Sequence, residues 1–190
     1  MNSVINVLKQ ENSKIHFIGI GGVSMSSLAK LLFHDGHIIS GSDANVSSNT
    51  KALEQLGVKV IYKHAAENIG DFDLVVYTAA IHDDNEELRQ ARANGILTVE
   101  RCVLLGEMMR GYRYPVNVAG THGKTTTTSM LASIFLDAHL EPTVSVGGDF
   151  NRIDGNLNIG KKEYFICEAC EYVESFLQFY PYASILLNIE

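Results

Sequence analysis

Apolar and polar positions along the chain switch repeatedly between two periods. Ile15-His16-Phe17-Ile18-Gly19-Ile20 is a short, nearly continuous apolar run, which predicts a buried strand. Gly21-Gly22 breaks it. From Val23 to His34 the apolar residues Met25, Leu28, Leu31 and Leu32 recur at helical spacing, and Gly36 stands where a terminator is expected. The alternation continues with strands over 37–43, 58–61, 73–78 and 96–99 and helices over 50–56, 86–94 and 101–110. Strands alternating with helices predict a parallel sheet covered on both faces.

Gly111-Tyr112-Arg113-Tyr114-Pro115 reads as a boundary, because Gly ends a helix and Pro discourages its resumption. A second unit is expected behind it. It has a strand over 116–119, a Gly-rich loop, a helix over 124–138, a strand over 143–146, a long loop from Val146, and strands over 164–168 and 184–188. The expected fold class is therefore α/β: a Rossmann-like parallel-sheet domain over 1–112, then an incomplete P-loop α/β ATPase domain over 113–190. The second unit reads as unfinished, since no covering helix follows its last strand, and the sequence reads as a fragment of something longer.

The two loops after the first strands of the two units carry the chemistry. Gly19-Ile20-Gly21-Gly22-Val23-Ser24-Met25-Ser26 lies between strand and helix, where the dinucleotide fingerprint G-x-G-x-x-G belongs. Its glycines allow a tight turn, and the helix N-terminus behind it favours a phosphate. Asp43 ends the next strand, where a carboxylate can accept a ribose hydroxyl. Ser24 stands in the third glycine position, which weakens the nicotinamide-dinucleotide reading more than the nucleotide-phosphate reading.

The second loop, Gly120-Thr121-His122-Gly123-Lys124-Thr125-Thr126, is the stronger signal. Lys124 is expected between the distal phosphates of ATP, Thr125 on a bridging Mg²⁺, and the two glycines where the backbone curls around an anion. With Val118 in the outer glycine position, it is the shorter G-x-x-G-K-T-T form. Glu168 ends a later strand, where ligands of parallel sheets gather and where a carboxylate can hold Mg²⁺ directly or through water.

The formal net charge of −7 and the absence of a basic run exclude nucleic acid as the main partner. No apolar stretch approaches the roughly 20 residues of a membrane span, and the polar N-terminus is no secretion signal, so a cytoplasmic protein is the default. Three cysteines argue against a disulfide framework. Cys167 and Cys170 form a C-x-x-C, for which zinc or redox chemistry competes with a buried Cys167 and an ordinary Cys170; two further zinc ligands are not evident.

These blocks together resemble the Mur ligase family, ATP-dependent amide-forming enzymes of peptidoglycan assembly, and most of all its alanine-adding branch. The resemblance rests on Ile15 to Ser26, Ser42-Asp43, Thr78-Ala79-Ala80-Ile81 with Asn85, and Gly120 to Thr128. It continues through Glu168-Ala169-Cys170-Glu171, Ser175-Phe176-Leu177 and Asn188-Ile189-Glu190. It implies three domains, of which this chain covers the first and part of the second, with the metal-site His of the family lying beyond Glu190. It implies that ATP, with Mg²⁺, phosphorylates the lactyl carboxylate of UDP-N-acetylmuramate and that the amine of L-alanine then displaces phosphate.

By the same resemblance Gly19, Gly21, Gly22, Val23, Ser24 and Met25 cradle the UDP diphosphate. Asp43, His64 and Thr78, Ala79, Ala80 and Ile81 line the uridine side. Gly120 to Thr126 hold ATP, Lys124 neutralises the transferred phosphoryl group, and Thr125 and Glu168 place the metal. His122 is expected to orient a phosphate or the metal, and His82 and Asp83 to lie on a loop surface. Cys170, Tyr172 and Val173 depart from the family pattern, which puts a carboxylate role there in doubt. The chain is expected to bind the UDP-sugar without ligating. The competing readings are an oxidoreductase domain using NAD, a non-catalytic nucleotide sensor, and the peptide-recycling cousin on the same sugar.

Overall fold

A computed structural model describes residues 3–169 and 176–189. The order is α1 (Val4–Lys9), β1 (Lys14–Ile18), α2 (Val23–His34), β2 (Ile38–Ser42), α3 (Ser48–Gln55), β3 (Lys59–Ile61), β4 (Leu74–Tyr77), α4 (Glu86–Ala93), β5 (Leu97–Glu100) and α5 (Arg101–Met109). It continues with β6 (Tyr114–Ala119), α6 (Lys124–Asp137), β7 (Thr143–Phe150), β8 (Gly155–Asn158), β9 (Tyr164–Ala169) and β10 (Ala183–Leu186). The chain divides into two compact units, Met1–Leu104 and Leu105–Glu190.

The apolar run of β1 is explained by its place. It is the middle strand of an all-parallel sheet of order β3-β2-β1-β4-β5, so Ile15, Phe17 and Ile18 are fully buried. On α2, Met25, Leu28, Leu31 and Leu32 form the buried stripe that the spacing predicts. α3 starts at a capping box in which Ser47 Oγ accepts from Thr50 N and Thr50 Oγ1 from Ser47 N. At the head of α4, Asn85 Oδ1 accepts the N–H groups of Glu87 and Leu88. The polar N-terminal stretch, which the pattern leaves without an element, forms α1. Val4 and Val7 bury its inner face, and the Ser13 hydroxyl donates to the carbonyls of Val7 and Gln10.

The second unit holds a sheet of order β10-β6-β9-β7-β8, parallel except for the β7–β8 pair. Ala132 of α6 packs on Val144, Val146 and Ile166 of one face. The expectation of a long loop from Val146 is corrected here. β7 runs on to Phe150 and returns antiparallel as β8, with an irregular register between Ser145 and Phe150. Gly147 and Gly148 hide the strand from its sequence, and the pairing comes from a neighbour rather than from propensity. The break expected at 111–115 is also narrower: Tyr114 and Pro115 already belong to β6. Pro115 is tolerated near the start of the strand, where its carbonyl accepts Tyr182 N at 2.7 Å.

Candidate functional site

In the first unit the predicted residues meet along one edge of the sheet. Ile18, Ser42 and Tyr77 end their strands in one register row, so Gly19, Asp43 and Thr78 follow side by side at the carboxyl ends. Ligands of open parallel sheets bind at such an edge. Gly19 adopts φ +82, and Gly22 caps α2, whose positive dipole end therefore faces the same edge. Asp43 shapes this loop: Oδ2 accepts Gly21 N at 2.8 Å and Oδ1 accepts Asn45 N at 3.0 Å. A Cβ on Gly21 would lie 2.8 Å from both Asp43 Oδ2 and Thr50 Cγ2, so a larger residue there would push these side chains aside. Both oxygens of Asp43 thus serve the protein's own backbone, a role that sequence reasoning missed.

Val23 is exposed, Ser24 half-buried, and Met25 buried in the core. Arg101, which sequence reasoning did not single out, donates from one guanidinium nitrogen to Ser24 Oγ at 2.8 Å. Ala79 and Ala80 are exposed, whereas Ile81 packs against the Ile18–Val75–Leu88 core. His82 and Asp83 are exposed, and Asp83 pairs with Arg92.

His64 leads into a buried cluster that the sequence pattern did not reveal. Glu87, fully buried on α4, accepts from Ser42 Oγ (2.6 Å), His64 Nδ1 (2.7 Å), Asn68 Nδ2 (2.7 Å) and His16 Nε2 (3.4 Å). Burial pushes its carboxyl up, but the hydrogen bonds from His16, Ser42, His64 and Asn68 together outweigh it and hold the group below the ordinary value of 4.5. A carboxylate held down in the fold contributes stability that is complete above that ordinary value and is lost as pH falls through the lower folded value. Denaturant unfolding of wild type is therefore expected to show falling stability below about pH 4.5, and Glu87→Gln to flatten that fall. An equal acid dependence in the variant would remove Glu87 as its source.

In the second unit the Gly-rich loop joins β6 to α6. Gly123 takes φ +84 as the cap of α6, and Lys124 is the first helical residue. Lys124 Nζ bends over the loop and donates to the carbonyls of Gly120 (2.6 Å) and Thr121 (3.2 Å). The Thr125 hydroxyl donates to Glu168 Oε2 at 3.1 Å, and Glu168 Oε1 accepts Gly147 N at 2.7 Å. Hydroxyl and carboxylate are hard oxygen donors, and their contact beside the loop fits a divalent cation. Asn188, also missed as a site residue, clamps the loop. Its Oδ1 accepts Thr121 N (2.7 Å) and His122 N (3.2 Å), and its Nδ2 donates to His122 O (3.1 Å). The His122 side chain and Thr126 are exposed.

Cys167 is buried in β9, and burial, with the Glu168 charge beside it, pushes its thiol up to about 12, which leaves it inert. Cys170, Tyr172 and Val173 lie outside the described residues. Among the described residues no group of three or more His, Cys, Asp and Glu gathers as a metal site, and no helix is long and apolar enough to cross a membrane.

Comparison with known proteins decides the kinship. Residues 14–113 match the Mur ligase family, catalytic domain, and residues 118–190 match the Mur ligase middle domain. The chain belongs to the Mur ligase family. Within that family, a UDP-N-acetylmuramate–L-alanine ligase of Clostridium novyi is 52% identical over 185 residues, 97% of this chain and 40% of that protein. One of Acetivibrio thermocellus is 54% identical over 176 residues, 93% of this chain and 38% of that protein. This Mur ligase chain thus spans about 40% of the length of the curated relatives it matches. The crystal structure of a UDP-N-acetylmuramate–alanine ligase from Thermotoga maritima superposes with a TM-score of 0.84 at 35% identity, covering 91% of this chain and 40% of that one. A murein peptide ligase from Psychrobacter arcticus gives 0.83 at 30% identity, covering 94% and 43%.

Proposed function

We propose that this chain supplies the sugar-nucleotide site and the phosphate loop of a UDP-N-acetylmuramate–L-alanine ligase, working in the cytoplasm. The observation that carries the reading is that about half of its residues, along nearly its whole length, are shared with relatives of that name. The same observation favours the alanine-adding enzyme over the peptide-adding cousin, whose superposition is as good but whose identity is lower than that of the alanine-adding structure.

Residues 1–112 bind UDP-N-acetylmuramate, with Gly19 to Met25 along the diphosphate and Asp43, His64 and Thr78 to Ala80 at the nucleoside end. Residues 113–190 hold ATP at Gly120 to Thr126. ATP supplies the phosphoryl group that makes the sugar's carboxylate an acyl phosphate, open to attack by the amine of L-alanine. The chain's own part is positioning and charge. The Lys124 ammonium stands at the loop mouth to offset charge on the transferred group. Thr125 and Glu168 are the pair that would hold Mg²⁺, which supplies further neutralisation of the phosphates.

The test is calorimetric titration of the 190-residue chain with UDP-N-acetylmuramate and, in parallel, with NADH. Saturable binding of the UDP-sugar alone is expected. Binding of NADH alone would reassign the Gly19 loop to a dinucleotide and overturn the proposal.

A further inference from the structure

A buried carboxylate with four side-chain partners is costly to assemble, since each partner must be fixed and the charge desolvated. Its donors are also chemically informative. An ionised carboxylate only accepts, so every group within hydrogen-bonding distance of Glu87 must present a proton to it. Ser42 Oγ and Asn68 Nδ2 have protons to give. His16 meets Glu87 through Nε2, and its Nδ1, at 2.9 Å from Ser40 Oγ, accepts from that hydroxyl. His64 meets Glu87 through Nδ1 at 2.7 Å. One proton on each ring satisfies every contact in the cluster.

His64 differs from the rest. Glu87 and His16 are sealed, whereas the His64 side chain keeps 26% of its surface exposed. It touches Ser42, the last residue of β2 and the neighbour of Asp43, whose carboxylate holds the Gly19 loop. With Nδ1–H turned inward, Nε2 of the neutral ring carries a lone pair, and it has no hydrogen-bond partner among the described residues.

We propose that Glu87 is a positioning residue of the sugar-nucleotide site: it locks the His64 ring as the Nδ1–H tautomer, so that Nε2 meets the nucleoside as a hydrogen-bond acceptor. The complementary group is a donor, either the imide N–H of a uracil ring or a ribose hydroxyl. The proposal rests on the reading of this sheet edge as a UDP-sugar site. It explains why a cluster reaching through β1, β2 and α4 surfaces at one imidazole beside the loop.

The experiment uses the 190-residue chain labelled with ¹⁵N-histidine. Long-range ¹H–¹⁵N spectra are recorded free and with UMP, 2′-deoxy-UMP and N3-methyl-UMP. Wild type is expected to show His64 as the Nδ1–H tautomer, with its Nε2 resonance moved by UMP. Loss of that movement with the N3-methyl analogue assigns the imide as donor, and loss with the deoxy analogue assigns the ribose. Glu87→Gln offers only one accepting oxygen where the cluster needs two. It is expected to release or flip the ring and weaken UMP binding about tenfold, the size of one lost hydrogen bond.

An Nε2–H in wild type, on the other tautomer or on the doubly protonated ring, overturns the proposal whether or not the variant folds. So does UMP binding that leaves Nε2 unmoved, or a folded Glu87→Gln that binds UMP like wild type. If wild type binds neither UMP nor UDP-N-acetylmuramate, the sugar-nucleotide reading fails and takes this proposal with it.

Discussion

On the proposed function, Lys124→Ala in a ligase that carries this chain is expected to lower ATP-dependent amide formation about 10²–10³-fold, the range for removing one preorganised charge-stabilising donor. It should leave affinity for the UDP-sugar within about twofold, since the first unit is untouched. Lys124 Nζ donates to Gly120 O at 2.6 Å and Thr121 O at 3.2 Å, which closes the loop, and on the proposed function it also offsets charge on the transferred group. Alanine removes both. Arginine is not expected to rescue, because a planar fork cannot replace a compact ammonium between two carbonyls. Phosphate release coupled to L-alanine, measured alongside UDP-sugar titration, checks both halves. Unchanged release in Lys124→Ala would refute the assignment of this loop to ATP.

Gly106→Ala is expected to be strongly destabilising. A Cβ at Gly106 would lie 1.8 Å from Gln178 O and 2.9 Å from Gln178 C. These are backbone atoms, so no rotamer change relieves the overlap. Either α5 or the Gln178–Phe179 backbone must move, and Phe179 is itself buried. Overpacking of this kind costs about 3 kcal/mol or more, a large part of the roughly 5–15 kcal/mol that holds a domain together. A fall in Tm of more than about 10 °C follows. Gly70→Ala is the control, since its Cβ would meet nothing within 4 Å. Thermal unfolding of both variants decides it: similar midpoints would mean that the Gly106 contact is not tight in solution.

What the sequence made legible was local. The βα turn at Gly19 and the loop at Gly120 announce themselves because glycines interrupt an apolar run and a helical stripe follows, and both stand where that pattern puts them. Glu87 was illegible for the opposite reason. On α4 it reads as one more first-turn acid, and only the tertiary fold, in which α4 packs on β4 and β5, brings its carboxylate to His16 of β1 and Ser42 of β2. Asp43 was located correctly, but a strand-end carboxylate does not disclose that its partners are the Gly21 and Asn45 amides. The β7–β8 hairpin escaped because pairing, not composition, makes a strand of Gly147-Gly148-Asp149-Phe150.

The grip of Asn188 on the loop after β6 has a consequence for biosynthesis. Thr121 and His122 are held by a side chain 67 and 66 residues further along the chain. A ribosome that has delivered the loop and α6 has therefore not yet delivered the part that sets the loop's shape. The contacts that fix Thr121 and His122 therefore wait until β10 has docked beside β6 and brought Asn188 into reach. The shape of this loop in the nascent chain thus depends on the docking of β10 and not on synthesis of the loop alone.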